Sequence, residues 1–152
     1  MRQDLPSTVK LLLLSYAVKE AGYSELEEPF EHILAFYLSR KNLVPFDEYV
    51  FAGDYCPPFD AFEKGISYPR SLGLTGGLNR LAAWELVDVT LHSISRYSIT
   101  SRGVKIARSF LAQVNNHFGT KQFTDITSEI ADKLCNKRAL LELSYRMYLT
   151  ES

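Results

Sequence analysis

Asn79 and Arg80 stand side by side in a stretch with helical spacing, and their chemistry is that of base-edge recognition. An Asn amide can pair with adenine, and an Arg guanidinium with guanine, in the major groove of a duplex. Thr75, a turn earlier, could add a hydroxyl contact. Farther along, His92, Ser93, Ser95 and Arg96 form a short polar run suited to phosphate or minor-groove contact, and Arg70 and Arg102 flank the stretch with two more guanidiniums. No set of residues points as well to catalysis. His32, His92 and His117 have no carboxylate or Cys at metal-ligand spacing, and Cys56 and Cys135 are lone thiols, so neither a metal, a cofactor nor a disulfide framework is expected. Glu25, Glu27, Glu28 and Glu31 gather at a helix start, where the helix dipole favours negative charge, and a capping and solubilising role is expected for them. Gly73-Leu-Thr-Gly76-Gly77 lacks the following Lys-Ser/Thr of a phosphate-cradling loop. An enzyme is therefore not expected.

These side chains need a helix and a ribbon to hold them, and the hydrophobic period supplies both. Leu78, Leu81, Ala82 and Leu86 recur at helical spacing, whereas Leu86–Thr90 and Tyr97–Thr100 are short β-branched and aromatic runs that suit paired strands. A second helix follows at once. Thr100 or Ser101 can cap it, and Val104, Ala107, Phe110 and Leu111 make its apolar stripe, with Lys105 and Arg108 turned to water.

From about Tyr68 to Leu111 the chain resembles the winged helix-turn-helix superfamily, with the wing pattern of MarR-like and PadR-like regulators. The returning strand Tyr97-Ser98-Ile99-Thr100-Ser101-Arg102-Gly103 is similar to their Tyr-x-Leu-Thr-x-x-Gly, with Ile99 in the Leu place. Two positions differ: Glu85 stands where the pattern usually has Gly, and the recognition helix is expected to open with Gly76-Gly77. The resemblance implies a DNA-binding transcriptional regulator that contacts double-stranded DNA through Arg70, Thr75, Asn79, Arg80, His92, Ser93, Ser95, Arg96 and Arg102. The alternative it implies is a protein-interaction subunit of a multi-protein assembly, such as one built around an SMC-like ATPase. Trp84 would then be an interface anchor; a core position is the plainer expectation for it.

Around this segment the sequence calls for further helices. One runs from about Ser7 to Ala21, capped by Asp4 or Ser7 and closed at Gly22, with Val9, Leu12, Leu13, Tyr16 and Ala17 on one face. The next starts at Glu28 with Pro29 in its first turn and runs to about Arg40; Ser24 and Glu27 also fit a capping box, which would start it earlier. Phe46–Phe51 reads as a short strand, 53–58 as a loop, Asp60–Lys64 as a short helix, and Ser67–Ser71 as a turn. After Leu111 the helix is expected to fray near Asn115-Asn116. His117–Phe123 is a connector, and Asp125 or Thr127 caps one long helix to about Leu149, with Ile126, Ile130, Leu134, Leu141, Tyr145 and Tyr148 on a broad apolar face. Exposed, that face would be a patch uncommon on monomers, so a homodimer through Asp125–Leu149 is expected, with packing onto the first helix as the alternative.

The expected architecture is α+β and mostly α. It is a single domain over 1–152, with a winged-helix core at about 59–116, two N-terminal helices within about 7–41 and the C-terminal helix at about 125–149. Nine Phe and nine Tyr and a 46% hydrophobic fraction are ample for a core. No wholly apolar run, Leu11–Leu14 included, approaches the roughly 20 residues a membrane span needs, so no membrane and a cytoplasmic location are expected. Net charge is −1 but unevenly spread: −5 over residues 1–65, +4 over 66–110 and 0 over 111–152. The basic excess falls on the segment that would meet phosphates.

Overall fold

The computed structural model describes residues 5–56, 66–91 and 93–151. Two apolar helices form its centre. Helix α1 (Ser7–Glu20) buries Leu11 to Leu14 together with Tyr16, Ala17 and Val18, and ends at Gly22, whose φ of 102° only Gly adopts without strain. Strand β1 (Leu26–Glu27) leads directly into helix α2 (Glu28–Arg40), which carries Pro29 in its first turn, where a missing N–H costs nothing. Every residue from Pro29 to Leu38 is buried, so α2 is wrapped on all sides.

Residues 46–51 are not a strand. Phe46 and Tyr49 stack at 5.5 Å and Phe51 meets Phe36 edge-on at 5.3 Å, so the aromatic side chains all turn into the core instead of alternating. The strand comes later. Strand β2 (Ala52–Cys56) pairs antiparallel with β3 (Ile66–Arg70), in the register Gly53↔Pro69 and Asp54↔Tyr68. Both stretches carry residues of turn chemistry and were expected as loop and turn. An Asp54–Arg70 ion pair at 3.0 Å links the two strands, and Tyr148 lies against Gly53, where a Cβ would come within 3.1 Å of its ring. The helix expected over Asp60–Lys64 lies outside the described residues.

Helix α3 (Leu72–Ala83) starts six residues before Leu78, capped by Ser71, whose hydroxyl accepts from the Leu74 N–H. The glycine pair is therefore inside the helix. A Cβ on Gly77 would lie 2.6 Å from the Tyr49 hydroxyl and 3.0 Å from Leu11, so at Gly77 helix α3 comes close against α1 and the segment carrying Tyr49. The helix closes on a pair of capping bonds, from Leu86 N to Leu81 O and from Glu85 N to Ala82 O, which need a left-handed residue between them. Glu85 supplies it, with φ 61°, at the position where the winged-helix pattern carries Gly.

Strands β4 (Val87–Thr90) and β5 (Arg96–Ile99) form the expected ribbon, and β1 joins it by pairing Leu26 with Tyr97, so the sheet order is β1-β5-β4, all antiparallel. Tyr97 is buried and Ile99 packs partly into the core. Through β1 the N-terminal helices share one sheet with the ribbon. Thr100 caps helix α4 (Ser101–Gln113) by accepting from the Gly103 N–H. Beyond Asn115 and Asn116, both at positive φ, the expected connector is a minimal hairpin of β6 (His117–Phe118) and β7 (Lys121–Gln122).

The single terminal helix expected over 125–149 is two helices, α5 (Phe123–Leu134) and α6 (Lys137–Thr150). The break is at Asn136, whose non-helical backbone and side-chain bond from the Ala139 N–H begin a new helix. Helix α5 packs on α1, and α6 on α2 and β3. Ile126, Ile130, Leu134 and Leu141 are buried within the chain, and Tyr148 packs on Phe36. The broad exposed patch that motivated a homodimer through Asp125–Leu149 is thus used internally. Among the described residues no helix is long and apolar enough to cross a membrane.

Candidate interaction face

The outward side of α3 carries Leu72, Gly76, Asn79, Arg80 and Ala83, and the β4–β5 ribbon stands beside it. Asn79 and Arg80 are exposed, and Arg80 reaches the Thr8 hydroxyl at 3.4 Å. Thr75 is turned away from this face, with its hydroxyl 3.3 Å from His32 Nε2. Arg70 is on β3, engaged with Asp54. Arg96 pairs with Glu25 at 3.2 Å, and Arg102 stands 4.0 Å from Glu85. Ser93 is exposed; Ser95 is half-buried, and its carbonyl accepts the Glu28 N–H at 2.8 Å, which fastens the ribbon to the start of α2. His92 lies outside the described residues.

Of the nine residues expected to touch DNA, the fold brings Asn79, Arg80 and Ser93 to open positions near α3 and the ribbon, and gives Arg70, Arg96 and Arg102 carboxylate neighbours. Trp84, expected in the core, is 52% exposed at the end of α3. Leu72 at the other end is 75% exposed, and Leu91, just after β4, is 77% exposed. These are three of the five large apolar side chains exposed among the described residues.

Behind this face lies a buried polar network that the sequence did not reveal. His32 is fully buried. Its Nδ1 accepts the Ser71 N–H at 3.0 Å, which leaves the ring proton on Nε2, facing Thr75 and, at 3.7 Å, Glu28. Burial lowers the His32 pKa, so the ring is neutral. Glu28 accepts from the Tyr97 hydroxyl at 3.1 Å; its contact with His32 outweighs burial and holds its carboxyl below the usual range. Burial and the nearby Glu28 charge also push the Tyr97 phenol up.

The four clustered glutamates are correspondingly not a solubilising patch. Glu25 pairs with Arg96, Glu27 with Lys137 at 2.7 Å, and Glu28 joins the network. Glu31 is buried, and its Oε2 has no hydrogen-bond partner among the described residues. Burial first, and the neighbouring Glu28 charge second, raise its pKa to about 8. A cavity of about 10 Å³, lined also by Ser15 and Tyr97, lies beside it, room for about one water. The signal for this burial is the apolar character of α2 on more than one side, since Ala35 and Phe36 fall outside the single stripe of Phe30, Ile33, Leu34, Tyr37 and Leu38.

No family model matches the chain, and neither a curated protein nor a solved structure is significantly similar to it.

Proposed function

We propose that the chain is a winged-helix protein whose α3 and β4–β5 face docks another protein in a multi-protein assembly, and that it is a binding module rather than an enzyme. The element order α1-β1-α2-β2-β3-α3-β4-β5, a winged-helix succession with the β2–β3 hairpin inserted between α2 and α3, and the sheet order β1-β5-β4 support the winged-helix reading. The observation that carries the choice of partner is the character of the face. Leu72 and Trp84 expose large apolar side chains at the two ends of α3 and Leu91 another just after β4, while Arg70, Arg96 and Arg102 have carboxylates within 4.0 Å. A surface of that kind suits a protein partner, where a buried aromatic anchor contributes most of the affinity. It suits a phosphate backbone less, because phosphate binding draws its strength from unneutralised cations.

Duplex DNA binding by a transcriptional regulator is the second reading, favoured by Asn79 and Arg80 adjacent on the open side of α3. Fluorescence anisotropy on duplex DNA at low salt separates the two. The protein-docking reading expects no salt-sensitive association. A photo-crosslinking residue placed at Trp84 and at Leu91 should also capture one and the same protein from the native host, which a crosslinker at Leu149 does not. Duplex binding that weakens with salt, with Arg80→Ala relaxing sequence preference by about 1–3 kcal/mol at one base pair, would instead establish the regulator.

A further inference from the structure

The basic excess of residues 66–110 does not gather on α3. Three of its six cations lie on α4, and two of these, Lys105 and Arg108, converge with Lys19 of α1 on an open pocket of about 310 Å³. Ile99, Thr100, Ser101 and Val104 complete its lining. Ser101, Val104, Lys105 and Arg108 follow one another at the spacing of a single helix face.

We infer that this pocket binds a small organic anion, a carboxylate or phosphate group carried on a compact apolar body. The charge is uncompensated: among the described residues, Lys19, Lys105 and Arg108 have no carboxylate within 4.0 Å, whereas Arg70, Arg96 and Arg102 each have one. Glu20 is the acidic neighbour, near enough to Arg108 to act on it through space. Arg108 is held in place by its Nε, which donates to the Tyr16 hydroxyl at 2.9 Å, and Tyr16 is itself stacked on Phe123 at 5.0 Å. A guanidinium fixed in that way keeps its outer N–H groups oriented before a ligand arrives, which reduces the ordering cost of binding. The first turn of α4 contains no acidic residue, so the positive end of the helix adds to the same field. Ile99 and Val104 supply the apolar wall, and the volume is near the lower end of ligand pockets, roughly 300–1,000 Å³, which limits the body to about one ring.

This inference does not rest on the winged-helix reading, because the pocket is defined by α1, β5 and α4 alone. Backbone amide NMR shifts on the full chain test it, with benzoate, phenyl phosphate, inorganic phosphate and benzyl alcohol as probes. Phenyl phosphate or benzoate should give saturable shifts confined to residues 99–108 and the end of α1. Lys19→Gln and Lys105→Gln, both at exposed positions, should each weaken that binding about ten-fold while leaving the rest of the spectrum unchanged, and Lys41→Gln, an exposed position outside the pocket lining, should not. Three results would each overturn it: no saturable shift at the pocket, benzyl alcohol binding as well as the anions, or inorganic phosphate binding as well as phenyl phosphate.

Discussion

Glu31 is a carboxyl enclosed with an unpartnered oxygen, and the energetics of that position have a definite sign. Its pKa is about 8 in the folded chain against 4.5 in the unfolded one, so between those values the folded state holds a proton that the unfolded state has released. Stability from this group is fully present below about pH 4.5 and declines by up to about 1.4 kcal/mol per pH unit as pH rises toward 8, above which the loss levels off. His32 acts in the opposite direction. Its lowered pKa favours folding above the unfolded value of 6.5, and that contribution is lost as pH falls. Glu31→Gln should therefore flatten the stability profile between about pH 4.5 and 8 and make the protein more stable than wild type at pH 8 to 9. Urea titrations at a series of pH values check this; parallel curves for the two proteins would mean that the carboxyl is not held protonated. Glycines at two neighbouring positions give a second contrast. A Cβ on Gly76 meets nothing closer than Arg80 Nη1 at 3.9 Å, so Gly76→Ala should stabilise α3 by about 0.5–1 kcal/mol. At Gly77 the same change forces Tyr49 or Leu11 aside and should destabilise by about 1–3 kcal/mol. Thermal unfolding of the two variants should shift in opposite directions.

Helix ends carry the next set of expectations. Glu85 occupies a left-handed backbone position that a side chain makes unfavourable by about 1–2 kcal/mol, and its contact with Arg102 at 4.0 Å is well exposed and weak. Glu85→Gly should raise stability by about 1 kcal/mol in denaturant titration; a loss would show that the capping bonds there tolerate the side chain without strain. Asn136→Ala should lower stability by about 1 kcal/mol by uncapping α6. The elements that could be foreseen are those whose signals are local. Thr100 caps α4, Gly22 closes α1, Pro29 opens α2, and the runs at 86–90 and 97–100 pair with each other across a short turn. The ones that were missed depend on distant partners. Ala52–Cys56 and Ile66–Arg70 contain Gly, Asp and Pro, and they are strands because they face each other and lie under α6. The glycine pair reads as a poor helix start until Tyr49 and Leu11 are seen to occupy the space beside Gly77. For the candidate face, residue types alone put nine side chains in reach of DNA; that Asp54 pairs with Arg70 and Glu25 with Arg96 is a tertiary fact, since the partners are 16 and 71 residues apart in the chain.

At the level of the whole molecule, α1 and α2 are covered on several sides by elements from the rest of the chain. Ile126, Ile130, Leu134, Leu140 and Leu141 belong to the same continuous core as Leu11 to Leu14. A chain ended near Asn116 should therefore fail to unfold cooperatively and should expose apolar surface that binds a hydrophobic dye, where the full chain does not. Independent folding of that fragment would mark α5 and α6 as an added layer. The same arrangement sets a timing problem during synthesis. Residues 7–20 leave the ribosome early, yet α5 and α6, which complete the cover of α1 and α2, are made only after residue 122. At about 5–20 residues per second the interval is on the order of ten seconds. For that period the nascent chain carries one of its most apolar segments without its final cover, a state in which a chaperone that holds exposed hydrophobic helices would find a ready client.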